Sequence, residues 1–328
     1  DASHLGVVAI DYIPGFEDRL SRHTIKVCYE RIIKDLNSSL ECFGNDDLEN
    51  PNYISGLACE ALLARVYLYM GDYANAAKYS SIVMAKVPLA KHDEYVGMFR
   101  KAQENPGEGI FRLNTYDNGN GMRALYNPTG NQKLEPAAEF MAKFDDNDAR
   151  GQLFTYTGEK EDGATYEGKR FTTVCKYLPV KSGVSDEKNR RSDFFVLRAS
   201  EMYLIHAEAL CNGESQDLNA AAEDIKALRA RALGTTPDKI AFSWASAKDL
   251  DTIIQEERTK ELCFEGHRFF DIKRRMENIT RPQSTTSKTK SLTWPDIHYA
   301  LPICQLELQA NDYMVQNEGY TGRKTIGE

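Results

Sequence analysis

The stretch from residue 249 to 275 constrains the fold more than any other part of the chain. It reads DLDTIIQEERTKELCFEGHRFFDIKRR, and Leu250, Ile253 and Ile254 recur in it at helical spacing. Continued along the helix, the same apolar stripe carries acidic side chains, which proteins rarely bury unless they are paired. The chain must therefore bring cations to this helix. Arginine suits that role because its planar guanidinium can donate to two carboxylate oxygens at once.

We predict a half-buried network of carboxylates and guanidinium groups that fixes how several helices pack. Its expected members are Arg198, Glu201, Glu208, Arg229, Arg231, Glu257, Arg258, Glu261, Glu265, Arg268 and Asp271. Two alternatives stay open: solvated charges on a helix surface, or a catalytic cluster of carboxylates. General acid–base pairs, however, need an acid and a base held apart in a cleft, whereas these acids follow one packed helix.

Helical hairpins on either side of the chain predict a mainly α-helical fold. The first hairpin turns at Gly71, and small residues around it recur at the spacing of a tetratricopeptide repeat. The predicted helices are 21–43 with Ser21 as its cap, 53–70, 73–86, 198–211, 218–233, one beginning at about Ser246 and one containing Phe269 and Ile272. We predict that these tetratricopeptide-like hairpins form a solenoid spine over about 21–86 and 198–278.

The remaining residues lose the helical period. EGIFRLNTY and KRFTTVCKYLPV alternate as strands do, and turn-rich segments separate them, with a helix expected only at 135–144. We predict a large irregular layer of loops and short strands over about 87–197 and 279–328. It is expected to pack on the spine within one domain that covers residues 1–328.

Loops rich in tyrosine make this layer the candidate binding surface. Aromatic faces can meet the apolar C–H face of a sugar ring, while Asn, Asp or Arg side chains meet its hydroxyl groups. The candidate ligand-binding residues are Tyr116, Asn118, Arg123, Tyr126 and Asn127 in one glycine-rich loop, and Trp294 in another. For any single tyrosine, the alternative is that it packs its loop onto the spine.

Composition and motifs argue against several classes of function. The net charge of −8 disfavours nucleic acid as a partner, and no apolar run approaches the roughly 20 residues of a membrane span. Gly119 and Gly121 superficially suit a dinucleotide fold, but Pro128 stops the helix that such a fold needs after its glycines. The seven cysteines show no disulfide framework and by themselves favour a reducing compartment. We expect no cofactor and no metal.

Residues 257–275, ERTKELCFEGHRFFDIKRR, resemble the ER-x-x-EL-x-x-EG-x-R-(W/F)-x-D-x-(K/R)-R signature of the SusD/RagB family, surface glycan- and nutrient-binding lipoproteins of Bacteroidetes. Residues 198–209, RASEMYLIHAEA, resemble the family's R-x-A-E-x-Y-L-x-x-A-E-A element. The tail at 300–320 resembles its L-P-I-P-x-x-E-x-x-x-N-x-x-x-x-Q-N-P-G-Y element, with Cys304 and Glu318 where the family has prolines. The resemblance follows the family's order over most of the chain.

The resemblance implies a non-catalytic protein on the extracellular face of the outer membrane. It would capture an oligosaccharide or other nutrient and pass it to a TonB-dependent outer-membrane transporter of the SusC-like kind. The acidic and arginine residues of the predicted network resemble structural positions of the family, not ligand contacts. Family members usually begin with a lipoprotein signal, a lipidated cysteine and further helices, so we expect that an N-terminal part carrying a lipid anchor is missing from this sequence.

Two other functions stay open at this point. One is a glycoside-processing enzyme that uses paired carboxylates, which would have to hydrolyse a glycan through a Glu or Asp. The other is a pure protein-interaction scaffold whose helical face docks a partner.

Overall fold

Helices dominate the regular structure in the computed structural model, which describes residues 2–43, 50–100, 107–113, 121–130, 132–158, 163, 165–178 and 193–320. They are α1 (Ile25–Phe43), α2 (Gly56–Met70), α3 (Tyr73–Lys86), α4 (Tyr95–Arg100), α5 (Gly121–Tyr126), α6 (Ala138–Met141), α7 (Ala199–Asn212), α8 (Leu218–Leu233), α9 (Ala247–Glu261), α10 (Arg268–Arg274) and α11 (Gln305–Ala310). Short 3₁₀ turns lie between them, among them 149–154 and 175–177.

Capping residues set the ends of the two helices in the first hairpin. The Ser55 hydroxyl accepts a hydrogen bond from the backbone N–H of Ala58 at the start of α2, and the Asp72 carboxylate does the same for Asn75 at the start of α3. Between them, Gly71 ends α2 in the left-handed conformation, with φ of 76°. The tight turn brings α2 and α3 together as an antiparallel pair.

The two hairpins and α9 bury a common core. Helix α2 packs on α3, α3 packs on α7, and α7 packs on both α8 and α9. Small side chains such as Ala61, Ala64 and Ala76 are fully buried between the first helices, where they allow the backbones to approach closely. Further along, Ile225 and Leu250 are buried in the cluster that joins α7, α8 and α9. The fold is therefore mainly α, built from tetratricopeptide-like hairpins that form a spine.

Helix α1 begins later than the sequence predicts. Ser21 was expected to cap it, but Thr24 takes that position, and its hydroxyl accepts from the backbone N–H of Val27 at 3.3 Å. The reason is that residues before Thr24 are occupied in pairing with an earlier segment: the Gly6 N–H donates to the His23 carbonyl at 2.7 Å, and Leu5 pairs with Thr24. Helix α1 lies against α2 without a single buried residue.

Within the described residues, three short antiparallel strand pairs accompany the helices. They are β1 (Gly109–Leu113) with β4 (Phe194–Arg198), β2 (Thr155–Thr157) with β3 (Arg170–Thr172), and β5 (Ile279–Thr280) with β6 (Ser291–Leu292). In the first pair Gly109 lies opposite Arg198 and Leu113 opposite Phe194. Because β4 leads directly into α7, this pair fixes the layer of loops and strands to the spine.

Two predicted elements are shorter than expected. The strand expected over KRFTTVCKYLPV covers only 170–172, since the chain turns at 175–177 and carries Lys176 into the interior. The helix expected at 135–144 is reduced to α6. Helix α9 ends at Glu261, and the chain turns after it, with φ of 63° at Phe264 and 88° at Gly266. Across the described ranges, no helix combines the length and apolarity needed to cross a membrane.

Candidate functional site

A buried network of charges surrounds the C-terminal half of α9, with Glu261 at its centre. This carboxylate is 0% exposed. It accepts from Arg198 Nη1 at 2.7 Å, Arg231 Nη2 at 2.8 Å, Arg150 Nη1 at 3.2 Å and the Tyr95 hydroxyl at 3.1 Å. Burial raises the pKa of Glu261, but the surrounding guanidinium groups lower it more, so that it lies well below its usual range.

One helical turn earlier, Glu257 is held in the same way. Arg150 Nη1 donates to one of its oxygens at 2.5 Å and Arg229 Nε to the other at 2.6 Å. Arg150 belongs to the 3₁₀ turn at 149–154 and is also paired with Asp148 at 2.7 Å. The Asp148–Arg150 turn thus reaches from the loop layer into the spine, which the helical periodicity alone did not reveal.

Two further side chains from outside the spine complete this part of the network. Glu108, just before β1, accepts from Arg198 Nη1 at 2.7 Å and from the Ser200 hydroxyl at 2.5 Å. Lys176 donates to the Glu265 carboxylate at 2.6 Å and to the backbone carbonyls of Glu261 and Cys263. The lysine therefore satisfies carbonyl groups that the end of α9 leaves without helical partners.

A second group of charges lies toward α10. Arg274 forms a two-pronged pair with Glu208 at 2.5 and 2.8 Å and contacts Asp271 at 2.9 Å. Arg258 Nε donates to the other Asp271 oxygen at 2.8 Å. Burial raises the pKa of Glu208, but its hydrogen bonds and charge interaction with Arg274 have the larger effect and lower the pKa to about 2.

Glu201 and Arg268 differ in how they relate to the predicted network. Glu201 is paired with Arg65 of α2 at 2.5 and 2.6 Å, and its pKa falls to about 2 because Arg65 and the nearby His267 outweigh the effect of burial. The side chain of Arg268 is 49% exposed, and Glu277 lies 3.9 Å from it. The prediction that Arg268 belongs to the network is wrong, because at the first position of α10 its side chain lies at the surface.

This chemistry favours a structural role for the network. Its central carboxylates are ionised, paired with guanidinium groups and shielded from solvent, so they are poorly placed to exchange protons with a substrate. In the ranges that the structure describes, no group of three or more His, Cys, Asp and Glu side chains is arranged to hold a metal ion.

The predicted ligand loop is only partly described. Tyr116 and Asn118 lie outside the described residues. Arg123 and Asn127 are half-buried, and the Asn127 amide oxygen accepts from the backbone N–H and the hydroxyl of Thr129. The structure therefore brings Arg123 and Asn127 to the same short segment around α5.

Tyr126 has a different position from the one expected of a ligand contact. It is 5% exposed, stacks on Tyr177 with ring centroids 5.7 Å apart and meets the edge of Phe264 at 6.0 Å. The Thr173 hydroxyl donates to its carbonyl. Its prediction as a ligand contact is therefore not supported by its geometry: the ring anchors the end of α5 to the interior, as the packing alternative proposed.

Trp294 lies in a separate loop after β6. Its ring is half-buried and meets the edge of Tyr299 with centroids 4.7 Å apart, and its backbone N–H donates to the Asn278 amide oxygen at 2.8 Å. No ring contact between Trp294 and α5 is present among the described residues. Arg123 and Asn127 thus lie on the segment around α5, and Trp294 lies in the loop after β6.

Comparison with known proteins agrees with this architecture. The sequence profile of the SusD family matches residues 111–320. The SusD-like protein P2 of Formosa agariphila is 27% identical, over 92% of this chain and 67% of its own length. A SusD superfamily protein of Bacteroides vulgatus is 26% identical, with a TM-score of 0.78 over 98% of this chain and 71% of that one.

A SusD-like carbohydrate binding protein of Bacteroides vulgatus shares the fold at 22% identity, with a TM-score of 0.68 over 90% of this chain and 66% of that one. The profile match extends over more than half of the sequence and includes α7 to α10 with their buried network. The chain therefore belongs to the SusD family.

Proposed function

We propose that this chain is a non-catalytic binding protein that captures an oligosaccharide or another nutrient. The observation that carries the proposal is the family match over residues 111–320, since the family is one of glycan- and nutrient-binding surface proteins. A carbohydrate binding protein with the same fold supports it. The pairing of the central carboxylates in the network is consistent with binding without catalysis.

The proposed site is the segment around α5. Arg123 and Asn127 offer polar groups suited to sugar hydroxyls, and Tyr116 and Asn118 precede them in the same loop. The role that we now assign to Tyr126 is to anchor this segment through its contacts with Tyr177 and Phe264. Trp294 is assigned to a separate surface.

We further propose that the protein acts on the extracellular face of the outer membrane. A lipid anchor outside the present sequence would hold it there, and it would deliver its ligand to a TonB-dependent transporter of the SusC-like kind. Family membership supports both points. Co-purification of a transporter with the tagged protein from outer membranes is the expected result, and recovery of the protein alone from extracts of mild detergent would count against the partnership.

Oligosaccharide binding is tested with neutral and uronic-acid hexasaccharides on an array and then by calorimetry. We expect binding of at least one class and no release of shorter sugars. Arg123→Ala should weaken the affinity about tenfold, equivalent to about 1.4 kcal/mol, whereas Lys133→Ala, an exposed cation nearby, should not. Hydrolysis of the bound probe would favour a glycosidase instead, and the absence of any binding would contradict the proposal.

A further inference from the structure

A continuous row of contacts between aromatic rings runs past α10. We define the aromatic strip as Tyr69, Phe270, Phe269, Tyr299 and Trp294. Along it, successive ring centroids are 6.3, 5.9, 6.5 and 4.7 Å apart. Two of its stacks are nearly parallel, with interplanar angles of 24° for the first pair and 16° for the third. The strip therefore joins the end of α2 to the loop that follows β6.

Two rings of the aromatic strip are exposed to solvent, and two more are half-buried. Phe270 is 52% and Phe269 is 37% exposed, and Tyr69 and Trp294 are half-buried. Single exposed apolar residues are ordinary on protein surfaces. Phe269 and Phe270 differ from such single residues because their rings adjoin each other, and neighbouring exposed apolar side chains often mark a site of interaction.

The inner ring holds the strip rigid. Tyr299 is 2% exposed, and its hydroxyl donates toward the carbonyls of Glu277 and Leu292 and accepts from the Ile279 N–H, all within 3.1 Å. A platform whose side chains are already fixed loses little entropy when a ligand binds. Tyr299 is thus fixed in position, with Phe269 stacked on it and Trp294 at its edge.

One end of the strip opens into a polar cavity of about 330 Å³. Tyr69 belongs to both, and the Arg274 guanidinium lies over its ring at 5.9 Å. The other polar residues that line the cavity are Tyr73, Asn212, Asp251 and Arg275. Phenol, amide, carboxylate and guanidinium groups together supply both donors and acceptors of hydrogen bonds.

The charges around this cavity are balanced, which indicates the class of ligand. Arg275 is paired with Asp251 at 2.6 Å and Arg274 with Glu208 at 2.5 Å. Both guanidinium groups are therefore neutralised, and an anion such as phosphate would have to compete with these carboxylates. A neutral ligand that carries many hydroxyl groups can bond to the same side chains without breaking the pairs.

We infer that the aromatic strip and this cavity form a second binding site for a neutral oligosaccharide, separate from the segment around α5. Sugar rings would lie with their C–H faces on Phe270, Phe269 and Trp294, and one end of the chain would place its hydroxyls in the cavity. The inference rests on the proposed function, because it assumes that the protein binds oligosaccharides. A protein partner would use the aromatic rings but would not require the cavity.

The two tryptophans of the sequence provide a direct test. Trp294 ends the strip, whereas Trp244 packs beside Phe242 on the α8–α9 core. In Trp244→Phe, Trp294 is the sole tryptophan, and we expect neutral hexasaccharides to change its fluorescence. In Trp294→Phe, the same probes should leave the emission of Trp244 unchanged.

Calorimetry with the same neutral hexasaccharides tests the two parts of the site. Phe270→Ala should weaken the affinity for these hexasaccharides about tenfold. Tyr73→Phe removes one hydroxyl from the cavity and should weaken the same affinity about threefold. Phe16→Ala is the matched control, since Phe16 is 96% exposed and lies outside the strip. We expect it to bind as the wild type does.

The outcomes separate this inference from the proposed function. Suppose that the hexasaccharides bind and that Arg123→Ala weakens their affinity. If Phe270→Ala then leaves this affinity unchanged and the hexasaccharides leave the Trp294 fluorescence unchanged, the second site is refuted and the proposed function stands. If no hexasaccharide binds, both fail. If uronic-acid probes bind here in preference to neutral ones, or if Phe270→Ala abolishes only the capture of a protein partner, the assignment to neutral sugars is overturned.

Discussion

At the residue scale, the buried acids Glu257 and Glu261 of α9 depend on the partners that surround them. Each carboxylate has lost its hydration, and the guanidinium groups around it compensate only while every partner is present. Glu261 connects three arginines that come from different parts of the chain. Removing it would leave those cations buried without their shared counter-charge.

We expect Glu261→Ala to lower the free energy of unfolding by about 3–5 kcal/mol, since it breaks a buried group of ion pairs. Chemical denaturation followed by circular dichroism measures this. Glu256→Ala, an exposed acid on the same helix, is the control and should change stability by less than about 0.5 kcal/mol. Equal stabilities of the two variants would contradict a structural role for the network.

The depressed pKa of Glu201 predicts how stability depends on pH. Its pKa is about 2 in the folded protein, against about 4.3 for an ordinary glutamate. Between these values the unfolded chain binds a proton that the folded protein does not, so stability rises with pH. The contribution, about 3 kcal/mol, is fully present above about pH 4.5 and is lost as the pH falls toward 2.

Urea unfolding at pH 5 and pH 3 measures this dependence. Glu201→Gln removes the titrating group that Arg65 holds ionised, and it should therefore lose less stability than the wild type over that interval. If the variant and the wild type lose the same free energy between the two pH values, Glu201 is not the source of the dependence.

The sequence reveals those residues of the network that share a helical period. Glu257 and Glu261 can be inferred because they continue the stripe of Leu250 and Ile254. Arg150, Lys176, Glu108, Arg65 and Tyr95 were missed, since most of them come from turns and strand ends where no period connects them to α9. Asp148 and Arg150 do give a signal, because residues 147–150, NDAR, resemble a D-P-R turn of the SusD/RagB family, with Ala149 where proline is usual. Arg268 was wrongly included because it lies beside a helical pattern, although its side chain is at the surface.

At the element scale, the hairpins follow from local signals. The limits of α3 and α8 match their predictions. Asp72 and Asp217 cap the starts of these helices. Gly71 ends the helix before α3, and Gly234 ends α8. The start of α1 and the length of α9 were less predictable. Both depend on contacts with distant segments: the pairing of Gly6 with His23, and the turn that carries Phe264 into the aromatic cluster.

Gly71 and Gly234 offer a matched comparison of two helix ends. Both have left-handed backbones, with φ of 76° and 64°. A Cβ on Gly71 would meet nothing within 4 Å, whereas on Gly234 it would lie 3.1 Å from the His92 ring. We expect Gly71→Ala to cost about 1 kcal/mol for its backbone alone, and Gly234→Ala to cost about 1 kcal/mol more through crowding.

Denaturant unfolding of the two alanine variants, alone and combined with His92→Ala, measures the difference. Replacing His92 removes the ring, so it should bring the cost of Gly234→Ala close to that of Gly71→Ala. If the two glycine substitutions cost the same while His92 is present, contact with the ring does not distinguish the two helix ends.

At the scale of the whole molecule, the network links the helical spine to the layer of loops and short strands. Arg150 and Lys176 reach α9 from two 3₁₀ turns, and Glu108, just before β1, pairs with Arg198 and with Arg231 of α8. These contacts are buried and charged, so opening the layer would expose unpaired ions in the spine. We therefore expect the two parts to unfold together rather than in sequence.

Native-state hydrogen exchange, followed by mass spectrometry, tests this coupling. Peptides covering 149–154 and 175–177 should open with about the same free energy as peptides from α7 and α9. Arg150→Ala should lower the value for all of them by about 3 kcal/mol, while Arg170→Ala, an exposed arginine of the same layer, should lower none. If the layer peptides of the wild type open well before those of α9, the two parts are energetically separate. The network would then stabilise the spine alone, and the loops that carry the proposed ligand contacts could rearrange without disturbing it.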